Sequence, residues 1–112
     1  MNIYDTANTL AQEIRKSEEY VNYKMAKETL KLKPDLKKQI DDFEMLRYDV
    51  QLTAMQTGKN DEEKINKMKK MYAELIEIDD VKRYFDAETK FNIIVADVNK
   101  IIGEAIRDVM NN

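Results

Sequence analysis

The sequence predicts an all-α fold: an elongated antiparallel helical bundle of about four to five helices with a long C-terminal helix. Two glycines and one proline in 112 residues are too few for the turns of a strand-rich fold. Apolar residues recur at intervals of three and four, which places them on one face of a helix. The longest such row lies at the C-terminal end and consists of Val81, Tyr84, Phe91, Val95, Val98, Ile102, Ala105 and Val109.

The first two helices are predicted at residues 3–15 and from residue 18 to just before Pro34. Ser17 is placed to cap the second helix, because its hydroxyl can accept from an unpaired backbone N–H. Glu18 and Glu19 suit the positive end of that helix's dipole. The second helix has to stop before Pro34, since proline disfavours helical geometry in the residue that precedes it.

Pro34 also suits the first turn of a third helix, where its missing N–H costs little. That helix should end at Gly58, because glycine readily adopts the left-handed conformation that closes a helix. Asn60 with Glu63 resembles a capping box, so Asp61 is expected to open the fourth helix. The apolar row of the third helix is Leu36, Ile40, Phe43, Leu46, Val50 and Ala54.

The last helix is predicted from Asp79 to about Val109, a length of about 46 Å at 1.5 Å per residue. A compact 112-residue globule has a diameter of roughly 34 Å, estimated from its expected radius of gyration. The apolar end of the helix would then lie in water unless another chain covers it. We therefore expect a homodimer. The candidate self-association residues are Phe91, Ile94, Val95, Val98, Ile101, Ile102, Ala105 and Val109.

Glu88 is the one polar interruption of the C-terminal row. A carboxylate at such a position can pair with a lysine, set the register of packed helices, or extend from the edge of the apolar face into water. The sequence leaves these three interpretations open.

The residue inventory argues against common catalytic chemistry in this chain. Cysteine and histidine are both absent, which removes disulfides, thiolate and imidazole metal ligands, and Ser/His or Cys/His nucleophiles. We expect a single helical domain over residues 1–112, no enzymatic activity and no cofactor. A length of 112 residues is sufficient for one modest core.

Nucleic-acid binding is an alternative function that the lysines raise. Lys24, Lys27 and Lys31 lie one turn apart on the second helix, and Lys67 and Lys70 share the fourth. Such rows can contact phosphates. The net charge of −3 and the absence of an aromatic platform for base stacking favour an ordinary solvated surface instead. An RNA-binding accessory protein is therefore kept as the second hypothesis.

No apolar run of 18 residues occurs, and the first 15 residues carry Asp5 and Glu13 instead of a basic start followed by an apolar core. We expect a cytoplasmic protein without direct membrane insertion.

Several short segments stand out along the chain: the opening Asn2-Ile3-Tyr4-Asp5-Thr6-Ala7-Asn8, the junction from Ile14 to Tyr20, the turn Gln56-Thr57-Gly58, and the closing stretches Phe85-Asp86-Ala87-Glu88 and residues 93–102. Together these segments resemble the YlbF/YmcA family of small bacterial proteins, most closely its YheA-like branch.

The resemblance implies a small helical bundle that self-associates in a bacterial cytoplasm. For the better-known members it implies roles in competence, sporulation and biofilm development, through a complex that influences messenger RNA processing. Those members are linked to iron–sulfur clusters through cysteines, which this chain lacks, so cluster binding is not carried over. The leading hypothesis is a non-enzymatic regulatory module that recruits an unidentified protein partner.

Overall fold

The computed structural model describes residues 2–110, and within them every regular element is a helix. The all-α prediction and its long last helix are confirmed. The five helices are α1 (Ile3–Lys16), α2 (Glu18–Lys31), α3 (Pro34–Thr57), α4 (Glu62–Leu75) and α5 (Asp79–Met110).

Short polar side chains set the amino ends of the first two helices. The Asn2 side chain accepts from the Asp5 backbone N–H at 2.9 Å and caps α1. Ser17 separates α1 from α2 in an extended conformation, and its hydroxyl accepts from the Tyr20 backbone N–H at 3.2 Å. The same hydroxyl donates to the Ile14 carbonyl at 2.6 Å. Ser17 therefore caps the start of α2, as predicted, and also satisfies a carbonyl at the end of α1.

Backbone chemistry sets both ends of α3. Pro34 occupies its first turn, where a missing N–H removes no helical hydrogen bond. Gly58 closes the helix in the left-handed conformation, with φ at 70°, and its N–H donates to the Ala54 carbonyl at 2.9 Å. Both ends were predicted correctly because each depends on the conformational limits of one residue.

The prediction that Asp61 opens α4 is wrong by one residue. Asp61 is the cap itself: its backbone is extended, and its carboxylate accepts from the Lys64 backbone N–H at 3.2 Å. The helix begins at Glu62. Asn and Asp cap helices equally well. The sequence therefore cannot distinguish Asn60 from Asp61 as the cap, and the path of the surrounding chain decides between them.

Contacts divide the described chain into two units, and the single-domain expectation stays a prediction. The central unit covers Ala26–Tyr84, which is the end of α2, all of α3 and α4, and the start of α5. Val81 is fully buried in it, and the Phe43 and Tyr72 rings of α3 and α4 lie 5.8 Å apart. Its buried apolar residues are Ala26, Leu30, Ile40, Phe43, Val50, Leu75, Val81 and Tyr84.

An ion pair joins the turn before α3 to the first turn of α5 within this unit. Lys33 donates to the Asp80 carboxylate, which Arg83 also approaches at 3.3 Å. The Lys33 hydrogen bond is the main reason that the pKa of Asp80 lies below its ordinary value. The carboxylate thus favours its charged form in the folded chain.

The terminal unit combines residues 2–25 with residues 85–110, which are α1, the start of α2 and the remainder of α5. Phe85 and Ala87 are its buried apolar residues. In this unit α2 contacts α5 through Tyr20 and Tyr23, whose rings lie 5.8 Å and 5.6 Å from that of Phe91. No helix within residues 2–110 is long and apolar enough to cross a membrane.

The two glycines provide a matched test of the α3 end. Gly58→Ala should lower the free energy of unfolding by about 1 kcal/mol, because alanine is strained at positive φ. A methyl group at Gly58 would meet no atom within 4 Å, so backbone strain is the whole effect. Gly103 lies inside α5, and a methyl group there would also meet no atom within 4 Å. Gly103→Ala should therefore raise the free energy of unfolding by about 0.5–1 kcal/mol. Chemical denaturation measures both; equal effects at the two positions would contradict the cap.

The Lys33–Asp80 pair predicts a pH dependence of stability. Because the pKa of Asp80 is lowered by folding, its contribution is present above the unfolded value of about 3.9 and is lost as pH falls through the folded value. Asp80→Asn should therefore lower the melting temperature at pH 7, and the difference from the parent chain should shrink towards pH 3. Thermal unfolding followed by circular dichroism measures it. Glu104→Gln, whose carboxylate lies on the exposed end of α5, is the control. A difference that persists unchanged at pH 3 would contradict the assignment.

Candidate self-association surface

Burial along α5 falls steadily towards its carboxyl end. Val81, Tyr84, Phe85 and Ala87 are buried. The next apolar residues, from Phe91 to Val98, include four that are half-buried. Every described residue from 99 to 110 is exposed, although that segment contains four large aliphatic residues. Their exposed fractions are 69% for Ile101, 49% for Ile102, 47% for Ile106 and 72% for Val109.

We call the eight candidate residues together with Ile106 the α5 stripe. At 100° per residue they span an arc of about 140° around the helix. Asp97, Glu104 and Asp108 follow one edge of this arc, whereas Asn99 and Gly103 follow the other. An arc of this width exceeds the two-position seam of a simple coiled coil, which indicates contact with more than one helix.

The α5 stripe has an anchored part, from Phe91 to Val98, and an open part beyond Val98. The half-buried Phe91 ring packs against Tyr20 and Tyr23 of α2 and so anchors this part of α5 to the terminal unit. Ile94, Val95 and Val98 are half-buried beyond Phe91. The exposed members of the stripe are Ile101, Ile102, Ala105, Ile106 and Val109.

Glu88 lies one turn before Phe91 and is half-buried. The Tyr23 hydroxyl donates to its Oε2 at 3.3 Å. This bond gives the polar interruption of the row a function within the fold: the carboxylate accepts from α2 while the Tyr23 ring packs on Phe91. The Tyr23–Glu88 bond supports the interpretation of Glu88 as a polar group that fixes how two helices align. Pairing with a lysine and extension into water stay predictions.

A second unburied apolar face lies on α1. None of the residues of Ile3–Lys16 is buried. Ile3 and Tyr4 are 77% and 76% exposed, and Ile14 is half-buried. We call the apolar side of this helix the α1 face; it comprises Ile3, Ala7, Leu10, Ala11 and Ile14. Helix α1 and the open part of the α5 stripe belong to the same unit.

The lysine rows lie on exposed helix surfaces. Lys24, Lys27 and Lys31 are exposed on one side of α2. Lys67 and Lys70 are exposed on α4, where Glu63 precedes Lys67 by four residues and Glu74 follows Lys70 by four. Carboxylates at this spacing share the face of the lysines and offset their charge. The RNA-binding hypothesis stays a prediction.

The structure also shows an apolar face that the sequence reasoning missed. Met45, Tyr48 and Met55 are 71%, 64% and 83% exposed on α3, and Leu52 between them is half-buried. We call these four residues the outer α3 face. They are spaced by three, four and three residues, the same period as the buried row of α3. The spacing is visible in the sequence, but the same spacing occurs in buried and exposed rows and so does not show that this row is exposed.

Acidic side chains are frequent in the chain, yet they do not converge. Within residues 2–110 no three carboxylates form a group that could hold a metal ion.

Comparison with known proteins identifies the family. The family described as "Control of competence regulator ComK, YlbF/YmcA" matches residues 3–107. The chain belongs to this family. The predicted resemblance is therefore confirmed, and the family description is regulatory and names no reaction.

The relatives of this family member include proteins of similar length. A UPF0342 protein of Desulfitobacterium hafniense is 36% identical over 98% of this chain and 89% of its own length. One from Clostridium novyi is 34% identical over 96% of this chain and 95% of its own length. A solved structure described as a "Protein of Unknown Function (DUF964) from Bacillus stearothermophilus" has a TM-score of 0.80 and 18% identity. It covers 98% of this chain and 96% of the other, and so supports the fold.

The hydrogen bond between Tyr23 and Glu88 gives a stability test of the anchored part of α5. Tyr23→Phe keeps the ring on Phe91 but removes the donor, and should lower the free energy of unfolding by about 1 kcal/mol. Tyr4→Phe is the matched control, because Tyr4 is 76% exposed and should change stability little. Urea denaturation measures both. Equal stability of Tyr23→Phe and the parent chain would show that the bond contributes nothing.

Proposed function

We propose that the protein is a non-enzymatic interaction module that forms a homodimer through the α5 stripe and the α1 face. As a dimer it recruits a protein partner in a regulatory assembly. The observation that carries the proposal is the exposure of every described residue from 99 to 110 despite the regular apolar period of this segment. Soluble chains rarely present such a continuous apolar face without a partner.

Both helices are needed to make the association favourable. Burying the exposed part of Ile101, Ile102, Ile106 and Val109 contributes about 1–2 kcal/mol for each side chain. Two copies bring eight such side chains and hence about 8–16 kcal/mol. Association itself costs about 4–15 kcal/mol in lost freedom. Burial of the α5 stripe alone therefore only about balances the cost of association, and the α1 face supplies the additional apolar area.

A four-helix arrangement fits the width of the exposed surface. Each copy would contribute α1 and the open part of α5, so that both apolar faces lie inside a bundle. The width of the α5 stripe suits this arrangement, because a helix in a four-helix bundle contacts two neighbours. The acidic edge formed by Asp97, Glu104 and Asp108 would then border the apolar contact and remain in water.

The regulatory part of the proposal rests on family membership. The family description concerns control of a competence regulator, which is an effect on another protein or its production. A helical module without histidine or cysteine can exert such an effect by binding. The dimer would provide two copies of each remaining surface, which strengthens the binding of a partner with two contact sites.

Charge on the α5 stripe should separate the two copies. The double variant Ile102→Lys/Ile106→Lys places two ammonium groups in the proposed contact, at residues whose side chains are already about half exposed in the single chain. The helical content should therefore be kept. Light scattering after size exclusion at micromolar concentration should give twice the 13.2 kDa chain mass for the parent and the single mass for the variant.

Ile93→Lys is the matched control, because Ile93 is 54% exposed on the opposite side of α5 and should leave the dimer intact. A monomeric parent chain at micromolar concentration would refute self-association. An intact dimer of the double variant would instead place the contact elsewhere.

A further inference from the structure

The outer α3 face is an apolar row that the fold does not use. Met45, Tyr48, Leu52 and Met55 lie on the side of α3 opposite its buried row, which includes Phe43 and packs near Tyr72 of α4. Three of the four are more than 60% exposed. A continuous row of this kind, about 15 Å long at 1.5 Å per residue, is more than the scattered apolar residues of an ordinary surface.

The spacing of the row indicates what shape of partner it fits. Intervals of three, four and three residues form the seam into which the side chains of another helix interlock. Methionine is unbranched and polarizable, so Met45 and Met55 can adapt to different apolar side chains. The row therefore suits an amphipathic helix.

The size of the row argues against a second copy of this chain as the occupant. Four side chains are far fewer than the roughly 20–30 residues that each partner contributes to a stable interface. A homodimer built on this row alone would be too weak to persist. Four side chains are sufficient for a weak, reversible contact with a single helix of another protein.

The carboxylates beside the row indicate which charge a partner helix should carry. An open hollow of about 550 Å³ is lined by Asp41, Glu44, Met45 and Tyr48. Lys37 pairs with Asp41 at 2.9 Å and compensates its charge. The hydroxyl of buried Tyr84 donates to Glu44 Oε1 at 3.2 Å, a neutral donor that positions the carboxylate without cancelling its charge.

At the opposite edge of the row, the negative charge of Asp49 is compensated by a lysine. Asp49 pairs with Lys64 of α4 at 2.9 Å, and the pKa of Lys64 is raised mainly by this hydrogen bond. Negative charge therefore remains on the Glu44 side, next to the Tyr48 ring. A lysine or arginine there would meet a carboxylate and an aromatic face together.

We propose that the outer α3 face docks an amphipathic helix of a different protein, one that carries basic residues beside its apolar row. The proposal rests on the protein's proposed role as an interaction module. It does not depend on the α5 stripe, so the two can fail separately.

Nuclear magnetic resonance of the methionine methyl groups tests the proposal on the full chain. The probe is a synthetic helical peptide with leucine at heptad spacing and lysine on both flanks; a companion peptide carries glutamate in place of lysine. The lysine peptide should shift the signals of Met45 and Met55 and leave those of Met25 and Met110 unchanged. It should bind at least 10-fold more tightly than the glutamate peptide. Shifts centred on Met110, or equal binding of the two peptides, would overturn the proposal.

Variants separate the apolar and the charged contributions. Tyr48→Ala should weaken binding of the lysine peptide about 10-fold, and Glu44→Gln about 3-fold to 10-fold, with the latter effect reduced in high salt. Leu32→Ala is the control, because Leu32 is 82% exposed outside the row and should have no effect. Unchanged affinity of both test variants would overturn the proposal.

The oligomeric state tests whether a second copy of this chain occupies the outer α3 face instead. Light scattering of Tyr48→Ala should match the parent chain. A loss of dimer in this variant would assign the outer α3 face to a second copy and overturn the proposal. A loss of dimer only in Ile102→Lys/Ile106→Lys, with peptide binding retained, would leave it standing.

Discussion

The apolar row of α5 is longer than the part of it that the chain's own helices shield from water. Val81 at the start of α5 is fully buried, and half-buried Phe91 further along packs against the rings of Tyr20 and Tyr23. Beyond Val98 the same period continues with every residue exposed. The exposed α1 face belongs to the unit that holds this segment, so one unit has both an anchored core and an open apolar surface.

Two tyrosine hydroxyls connect the packed interior to the carboxylates at its edge. Tyr23 donates to Glu88 in the terminal unit, and Tyr84 donates to Glu44 in the central one. In each case the ring contributes apolar burial while the hydroxyl satisfies a half-buried glutamate. A neutral donor positions a carboxylate but leaves its charge. At Glu44 that charge lies beside an exposed apolar row, where it can influence which partner binds.

The local features of the fold were predictable because they depend on single residues. Pro34 and Gly58 delimit α3 through their backbone limits, and the Ser17 hydroxyl caps α2 as expected. The start of α4 was misplaced because Asn60 and Asp61 are equivalent caps. The candidate surface was predictable only in part: spacing identified the α5 stripe, but could not tell that Phe91 packs on Tyr20 and Tyr23 while Ile101 is 69% exposed. The outer α3 face was missed because helical spacing is the same for buried and exposed rows.

The sequence by itself determined that this chain is helical, where most of its helices begin and end, and that it belongs to the YlbF/YmcA family. Scarce glycine and proline, regular apolar spacing and short capping side chains are sufficient for the helices and their ends, since they act within one or two helical turns, whereas family membership follows from the match over residues 3–107. Only the tertiary structure decided which apolar rows are covered. That outcome depends on which helices meet: the rings of α2 meet Phe91, and α4 meets the inner side of α3, so that Met45, Tyr48 and the end of α5 remain open to other molecules.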